Sequence, residues 1–218
     1  MDYSLYLVTD SGLSRGRSQR EIVAAAIRGG VTVVQYREKN ATTRQMIAEA
    51  GELRELCAAR GIPFIVNDRI DVALAVDADG VHVGQDDMPA ALARRLIGAG
   101  KILGVSVENA DQARVAEREG ADYLGASPIF ATPTKPDAPA PMGIQGLAEV
   151  ARACRLPVVA IGGINAGNAA SMLQAGAAGV AVVSAIVSAE DAESAARALR
   201  REIQAGRQAR EGTKNDSR

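Results

Sequence analysis

The sequence predicts an α/β fold of one kind, a single (β/α)8 or TIM barrel, and three observations carry the prediction. Eight short apolar runs recur at intervals of about 20–35 residues, each reading as a buried parallel strand. Helical patterns separate these runs and hairpin turns are absent, which makes the strands parallel neighbours joined by crossover helices. No G-x-G-x-x-G follows the first run, so the alternative, an open doubly wound sheet, lacks its dinucleotide fingerprint. Eight units in 218 residues suit a small closed barrel. Residues 1–205 are expected to form this catalytic domain. Residues 206–218 are polar, lack apolar periodicity and read as a disordered tail.

The elements follow in order. Tyr3–Val8 is a β-branched and aromatic strand ending in Thr9-Asp10. Ser18–Arg28 is a helix with Ser18 as N-cap, Glu21 three residues on in the capping-box pattern, and Gly29-Gly30 as the stop. Val31–Tyr36 is the second strand. Thr42–Arg60 is a long helix with Ile47, Leu53, Leu56 and Cys57 at helical spacing, ended by Gly61. Ile62–Val66 and Gly80–Val83 are the third and fourth strands, with only the short helix Asp71–Val76 between them. Pro89 starts the helix Ala90–Ile97. Lys101–Ser106 is the fifth strand, Ala110–Glu119 a helix, and Asp122–Ala126 the sixth strand. Ser127–Met142 holds five of the eight prolines, so it is a loop, read as an active-site lid or a disordered insertion. Gly143–Cys154 is a helix, Pro157–Ile161 the seventh strand, Asn168–Gln174 a helix, Gly179–Val183 the eighth strand, and Glu190–Gln204 the last helix.

Composition narrows the function. The chain carries 25 basic and 26 acidic residues, so bulk attraction to nucleic acid or an anionic membrane is not expected. Aromatics are 3% and Trp is absent, so Val, Ile, Leu and Ala must build the core. Cys57 and Cys154 lie far apart inside helical patterns and read as small apolar residues of a reducing compartment. No apolar run approaches membrane-spanning length, and the first residues do not read as a basic and then apolar leader, so none is expected. The expectation is a cytoplasmic protein acting on small molecules; a homo-oligomer is left open.

A closed barrel gathers the C-terminal ends of its strands at one mouth. The residues just past those ends are Thr9-Asp10, Gln35, Arg37, Lys39, Asn67-Asp68, Gln85-Asp86-Asp87, Ser106, Thr132, Thr134, Lys135, Gly162-Gly163 and Ser184. Gly162-Gly163 and Val183-Ser184 follow the seventh and eighth strands, where this fold holds phosphomonoesters. Asp68 and Asp87 stand among the cations Arg37, Lys39 and Lys135, a combination that suits Mg²⁺ bound to a diphosphate. Each feature also has a plain structural reading: Asp residues after strands cap helices, charged loop residues sit in water, and double glycines make turns. His82, the lone histidine, reads as packed or hydrogen-bonded, because no acid or nucleophile accompanies it. No Ser-His-Asp set and no zinc cluster is present.

Several motifs resemble those of the thiamine-phosphate synthase family. They are Gln35-Tyr36-Arg37-Glu38-Lys39, Val66-Asn67-Asp68-Arg69, Gly80-Val81-His82-Val83-Gly84-Gln85-Asp86-Asp87, Gly104-Val105-Ser106, Pro128-Ile129-Phe130-Ala131-Thr132-Pro133-Thr134-Lys135, Ala160-Ile161-Gly162-Gly163-Ile164 and Val182-Val183-Ser184-Ala185-Ile186. The resemblance implies transfer of a 4-amino-2-methylpyrimidin-5-ylmethyl group from its diphosphate to a thiazole phosphate. Gln35, Tyr36, Arg37, Glu38, Lys39, Asn67, Ser106 and Lys135 would then contact the pyrimidine diphosphate. Of these, Arg37, Lys39, Lys135 and Ser106 would be catalytic. Asp68 and Asp87 would bind one Mg²⁺ per subunit, and Thr132, Pro133, Thr134, Gly163, Val183 and Ser184 would hold the thiazole phosphate.

Two positions depart from the family's pattern. Ser127 stands where glycine is common, and Val107-Glu108 where many members carry a histidine. A related thiazole tautomerase uses a histidine there, so its absence favours the synthase. Two rivals stand beside it: a sugar-phosphate isomerase or epimerase, and a non-catalytic barrel that binds thiazole or thiamine phosphate.

Overall fold

The computed structural model describes residues 1–132 and 139–216, with side chains described as far as 212. Eight parallel strands close on themselves in chain order, so the barrel has no free edge. They are β1 (Leu5–Val8), β2 (Val33–Tyr36), β3 (Phe64–Asn67), β4 (Gly80–Val83), β5 (Ile102–Val107), β6 (Tyr123–Ala126), β7 (Val158–Ile161) and β8 (Gly179–Val182). Closure comes from β1 pairing with β8, Tyr6 opposite Ala181.

The helices surround the sheet: α1 (Gln19–Arg28), α2 (Thr43–Ala58), α3 (Ile70–Ala75), α4 (Ala90–Ile97), α5 (Ala110–Arg118), α6 (Gly143–Ala153), α7 (Ala169–Gln174), α8 (Ser184–Val187) and α9 (Ala192–Asp216). Local chemistry sets several boundaries. Ser18 and Glu21 form the expected capping box on α1, and Thr42 with Gln45 forms a second on α2. The four-residue α8 escaped the sequence reading because one helical turn shows no apolar period.

Side chains alternate along each strand. One set faces the helices and makes the main core, with Val34, Tyr36, Phe64, Val66, Leu103 and Leu124 fully buried. The other set fills the barrel itself: Tyr3, Tyr6, Val8, Val33, Ile65, Tyr123, Val159 and Ala181. The inner core is thus built around three tyrosines, with Tyr3 and Tyr123 rings 4.7 Å apart.

The C-terminal stretch differs from expectation. Instead of ending near Gln204 and giving way to a disordered tail, α9 runs on to Asp216. Its apolar residues Ala196, Leu199 and Ile203 are buried, and beyond them the contacts change kind. Gly206 lies directly on the Ala170 backbone of α7, and Arg207 Nη2 donates to the Ala178 carbonyl at 2.8 Å. A small residue and a guanidinium hold this part of the helix, so no apolar stripe advertises it.

Candidate functional site

The strand C-termini converge on one cavity of about 380 Å³, a size suited to small-molecule ligands. Its walls bring together Gln35, Arg37, Lys39, Asn67, Asp68, Asp87, Ser106, Thr132, Gly163, Val183 and Ser184, all of them singled out from the sequence. Pro133, Thr134 and Lys135 lie outside the described residues.

Tyr36 and Glu38 are not part of the wall. Strand alternation turns Gln35 inward and Tyr36 outward, where its hydroxyl donates to Glu49 Oε2 on α2 at 2.8 Å. Glu38 folds back on its own loop, with Oε1 accepting from the Asn40 N–H at 2.8 Å. Burial alone would raise its pKa, but the Ser11 hydroxyl and the N–H groups of Asn40, Lys39 and Ala41 outweigh that and lower it. Its carboxylate shapes the turn that presents Lys39. The Tyr36 and Glu38 side chains are thus engaged away from the cavity that Gln35, Arg37 and Lys39 line.

The cationic wall follows β2. Arg37 Nη1 pairs with Asp10 Oδ2 at 2.8 Å across the top of β1. Asp10 also follows a strand end, and this pairing is its part in the site. Lys39 Nζ is 3.5 Å from Asp68 Oδ2 and its side chain is 56% exposed, so the ammonium is loosely held.

The acidic wall joins β3 to β4. Asp68 adopts a left-handed backbone, φ 59°, with its N–H donating to the His82 carbonyl at 2.8 Å. That conformation is uncommon for a residue with a Cβ, though Asp tolerates it better than most. The N-cap of α3 is Arg69, so the Asp68 carboxyl is not spent on capping. It lies within hydrogen-bonding reach of Asp87, whose Oδ2 also accepts from the Gly84 N–H at 2.8 Å. Burial, then the Asp87 carboxyl, pushes the Asp68 pKa up to about 6, against the opposing pull of Lys39. Two crowded carboxylates form a spot short of positive charge.

That donor set fits a hard divalent cation. Among the described residues no cluster of three or more His, Cys, Asp or Glu could hold a metal. Mg²⁺ commonly takes one or two carboxylates and completes its shell with water and phosphate oxygens. Asp68 and Asp87 supply that minimum beside two cations suited to a polyanionic ligand.

The opposite wall is made of backbone. Gly162 (φ 105°) and Gly163 (φ 66°) sit where side chains are strained. A Cβ on Gly162 would come within 2.9 Å of Pro128, and one on Gly163 within 2.8 Å of Phe130. Glycine therefore lets the loops after β6 and β7 touch and leaves peptide groups exposed to the cavity.

Between the walls lies a polar floor that the sequence reading did not assemble. Tyr6, His82 and Tyr123 line the cavity bottom, joined by hydrogen bonds to Gln35 on one side and Ser106 on the other. His82 is indeed buried and hydrogen-bonded. Burial pushes its pKa down to about 4, so it is neutral at ordinary pH. Each member carries the inward period of its strand, but only the strand register shows that they meet.

Comparison with known proteins follows the same lines. Residues 5–186 match the family model described as thiamine monophosphate synthase. A thiamine-phosphate synthase of Chloroflexus aurantiacus is 67% identical over 162 residues, 74% of either chain. One of Syntrophomonas wolfei is 52% identical over 161 residues, covering 74% of this chain and 77% of its own. Among solved structures, the thiamine phosphate pyrophosphorylase of Pyrococcus furiosus superimposes with a TM-score of 0.87 at 43% identity, over 94% of this chain and 97% of its own.

Proposed function

The chain belongs to the thiamine monophosphate synthase family, and from that premise we propose how its barrel mouth carries out the reaction. The protein is an enzyme, a transferase of thiamine biosynthesis making thiamine phosphate. The substrates are small molecules: the pyrimidine diphosphate and the thiazole phosphate, which yield thiamine monophosphate and pyrophosphate.

The observation that carries the residue assignment is the meeting of two cations, two crowded carboxylates and a glycine-built wall in one cavity. Arg37, aimed by Asp10, and Lys39 bind the diphosphate and offset the negative charge that grows as pyrophosphate leaves. Lys135 joins them in the same role, by resemblance. Asp68 and Asp87 hold Mg²⁺, which when bound supplies further neutralisation of the leaving group. Gln35, Asn67 and Ser106 orient the pyrimidine. Gly163, Val183 and Ser184, with Thr132, Pro133 and Thr134, receive the thiazole phosphate.

The electron-rich aminopyrimidine stabilises positive charge at its methylene carbon, so pyrophosphate departs before the thiazole nitrogen attacks. No protein base or nucleophile is needed, consistent with a histidine held neutral and buried. Val8, Ile161 and Ala181 give the cavity apolar sides that limit water at the cation. Cytoplasmic location accords with a biosynthetic enzyme, and among the described residues no helix is long and apolar enough to cross a membrane.

The test is direct. The purified protein is mixed with both substrates and Mg²⁺, and pyrophosphate and thiamine monophosphate are measured together. Stoichiometric appearance of both is expected. Tight binding of either substrate with no product would overturn the assignment in favour of a carrier.

A further inference from the structure

Four hydrogen bonds run in a row across the barrel floor. Gln35 Nε2 donates to Tyr6 Oη at 2.9 Å, and Tyr6 Oη lies 2.7 Å from Tyr123 Oη. Tyr123 Oη is 2.9 Å from His82 Nδ1, and His82 Nε2 is 2.9 Å from Ser106 Oγ. Tyr6 and Tyr123 are 1% exposed, Gln35 5% and His82 8%. At that burial each group needs its partner in the chain. All five residues line the cavity, and the two ends, Gln35 and Ser106, are the ones whose bonds within the row leave a hydrogen-bonding group over.

A hydroxyl has one proton to give, and a neutral imidazole has one N–H. With Gln35 donating to Tyr6, Tyr6 must donate to Tyr123 and Tyr123 to His82 Nδ1. The imidazole proton then sits on Nε2 and is donated to Ser106, whose own proton is left for the cavity. The Gln35 amide oxygen is likewise left over as an acceptor, on a residue that lines the cavity. The reverse direction uses the same heavy atoms with the amide turned over and the proton on Nδ1. A mixture of the two would set two protons or two lone pairs face to face in a buried site.

Two glycines make room for the chain. A Cβ on Gly104 would come within 2.2 Å of Tyr123 Cζ and 2.4 Å of His82 Nδ1. One on Gly125 would come within 3.1 Å of His82 Cε1. Neither glycine has positive φ, so space, not backbone conformation, is what they provide.

We propose that the direction of this chain is set as a unit, so that Gln35 and Ser106 recognise a heterocycle as one acceptor–donor pair, with Tyr6, Tyr123 and His82 as the positioning residues that couple them. An acceptor at Gln35 and a donor at Ser106 match an amino N–H beside an unprotonated ring nitrogen. An aminopyrimidine has that edge, and this matching alone rests on the function proposed above. Such coupling rejects an edge offering two acceptors or two donors, since one end of the chain would then oppose it.

His82 is the chain's sole histidine, so ¹⁵N-histidine NMR of the full-length protein reads its tautomer without overlap. In the wild type the proton is expected on Nε2. In Gln35→Glu an ionised carboxylate can only accept from Tyr6, which drives every bond the other way and moves the imidazole proton to Nδ1, three hydrogen bonds distant. In Gln35→Met, similar in shape and without an N–H, the bias is removed and both tautomers are populated. Tyr123→Phe cuts the chain, and in that background Gln35→Glu no longer moves the tautomer. A wild-type proton on Nδ1, an unchanged tautomer in both Gln35 variants, or the same change after the chain is cut overturns the proposal. The measurement needs neither substrate nor metal, so a protein without synthase activity would refute the functional reading and leave this result standing.

Discussion

Arg37 Nη1 is held 2.8 Å from Asp10 Oδ2, and each side chain is 19% exposed. The pair is sheltered enough to fix the guanidinium before any ligand arrives. Preorganisation of that kind lowers the cost of binding. Asp10→Ala is therefore expected to raise KM for the pyrimidine diphosphate about tenfold while changing kcat less, because Arg37 remains but is no longer aimed. Arg37→Lys, which cannot keep a planar fork, should cost more in kcat/KM. Steady-state kinetics on the two variants separates aiming from charge.

Asp68→Asn should lower turnover by about 10²-fold or more, on the scale of other lost electrostatic contacts to a transition state. Its effect on stability should have the opposite sign. The Asp68 pKa is raised to about 6 from an ordinary 3.8, so the folded state holds that proton more tightly than the unfolded chain. This contribution is present at low pH and lost as pH rises through about 6. At pH 8 without metal, Asp68→Asn is expected to melt at or above the wild-type temperature. A chelator should silence the wild-type enzyme and added Mg²⁺ restore it.

His82 works in the other direction. Its folded pKa is about 4 against an ordinary 6.5, so the unfolded chain binds a proton first. Stability from this group is complete above about 6.5 and is lost as pH falls toward 4, by about 3 kcal/mol if the whole shift is realised. Asp68 opposes this trend over part of the range, so the comparison needed is with His82→Gln. Urea titrations between pH 4 and 7 should show a steeper acid decline for the wild type. Parallel curves would refute the assignment of that decline to His82.

Gly104→Ala and Gly51→Ala should differ in sign. The first puts a methyl group onto Tyr123 and His82, both tied by hydrogen bonds, and overpacking of this kind costs about 1–3 kcal/mol. The second meets nothing within 4 Å in the middle of α2, where replacing Gly gains up to about 1 kcal/mol of helix propensity. Chemical denaturation of both variants checks the contrast.

Removal of residues 205–218 should lower the melting temperature by several degrees, since it takes away Gly206 on Ala170 and the Arg207 bond to the Ala178 carbonyl. Gly206→Val, whose Cβ would come within 2.5 Å of the Ala170 carbonyl, should act the same way without shortening the chain. An unchanged melting temperature in both would mark the end of α9 as dispensable.

Much of this molecule was legible in its residues. Period, caps and glycine stops located the eight strand–helix units, and pooling the strand ends found the charged part of the cavity wall, Arg37, Lys39, Asp68 and Asp87. What escaped has definite causes. Tyr36 and Glu38 sit inside a motif whose other members face the cavity. Strand alternation separates Gln35 from Tyr36, but a motif read as one unit hides it. The Gln35-to-Ser106 chain joins residues of five strands, β1, β2, β4, β5 and β6, and its meeting point depends on the barrel's stagger rather than on any local pattern. The far end of α9 is held by one glycine and arginine-to-carbonyl bonds, and these leave no hydrophobic period.

The β1–β8 seam has a consequence for how the chain is made. Leu5 waits for Val180, its partner in the closed sheet, so the first strand to leave the ribosome is completed by nearly the last. Throughout synthesis, the growing sheet keeps one edge at β1 and another at its newest strand, both open to pairing with other chains. A nascent chain that stalls before β8 is therefore most vulnerable to self-association, and that exposure ends when the seam shuts.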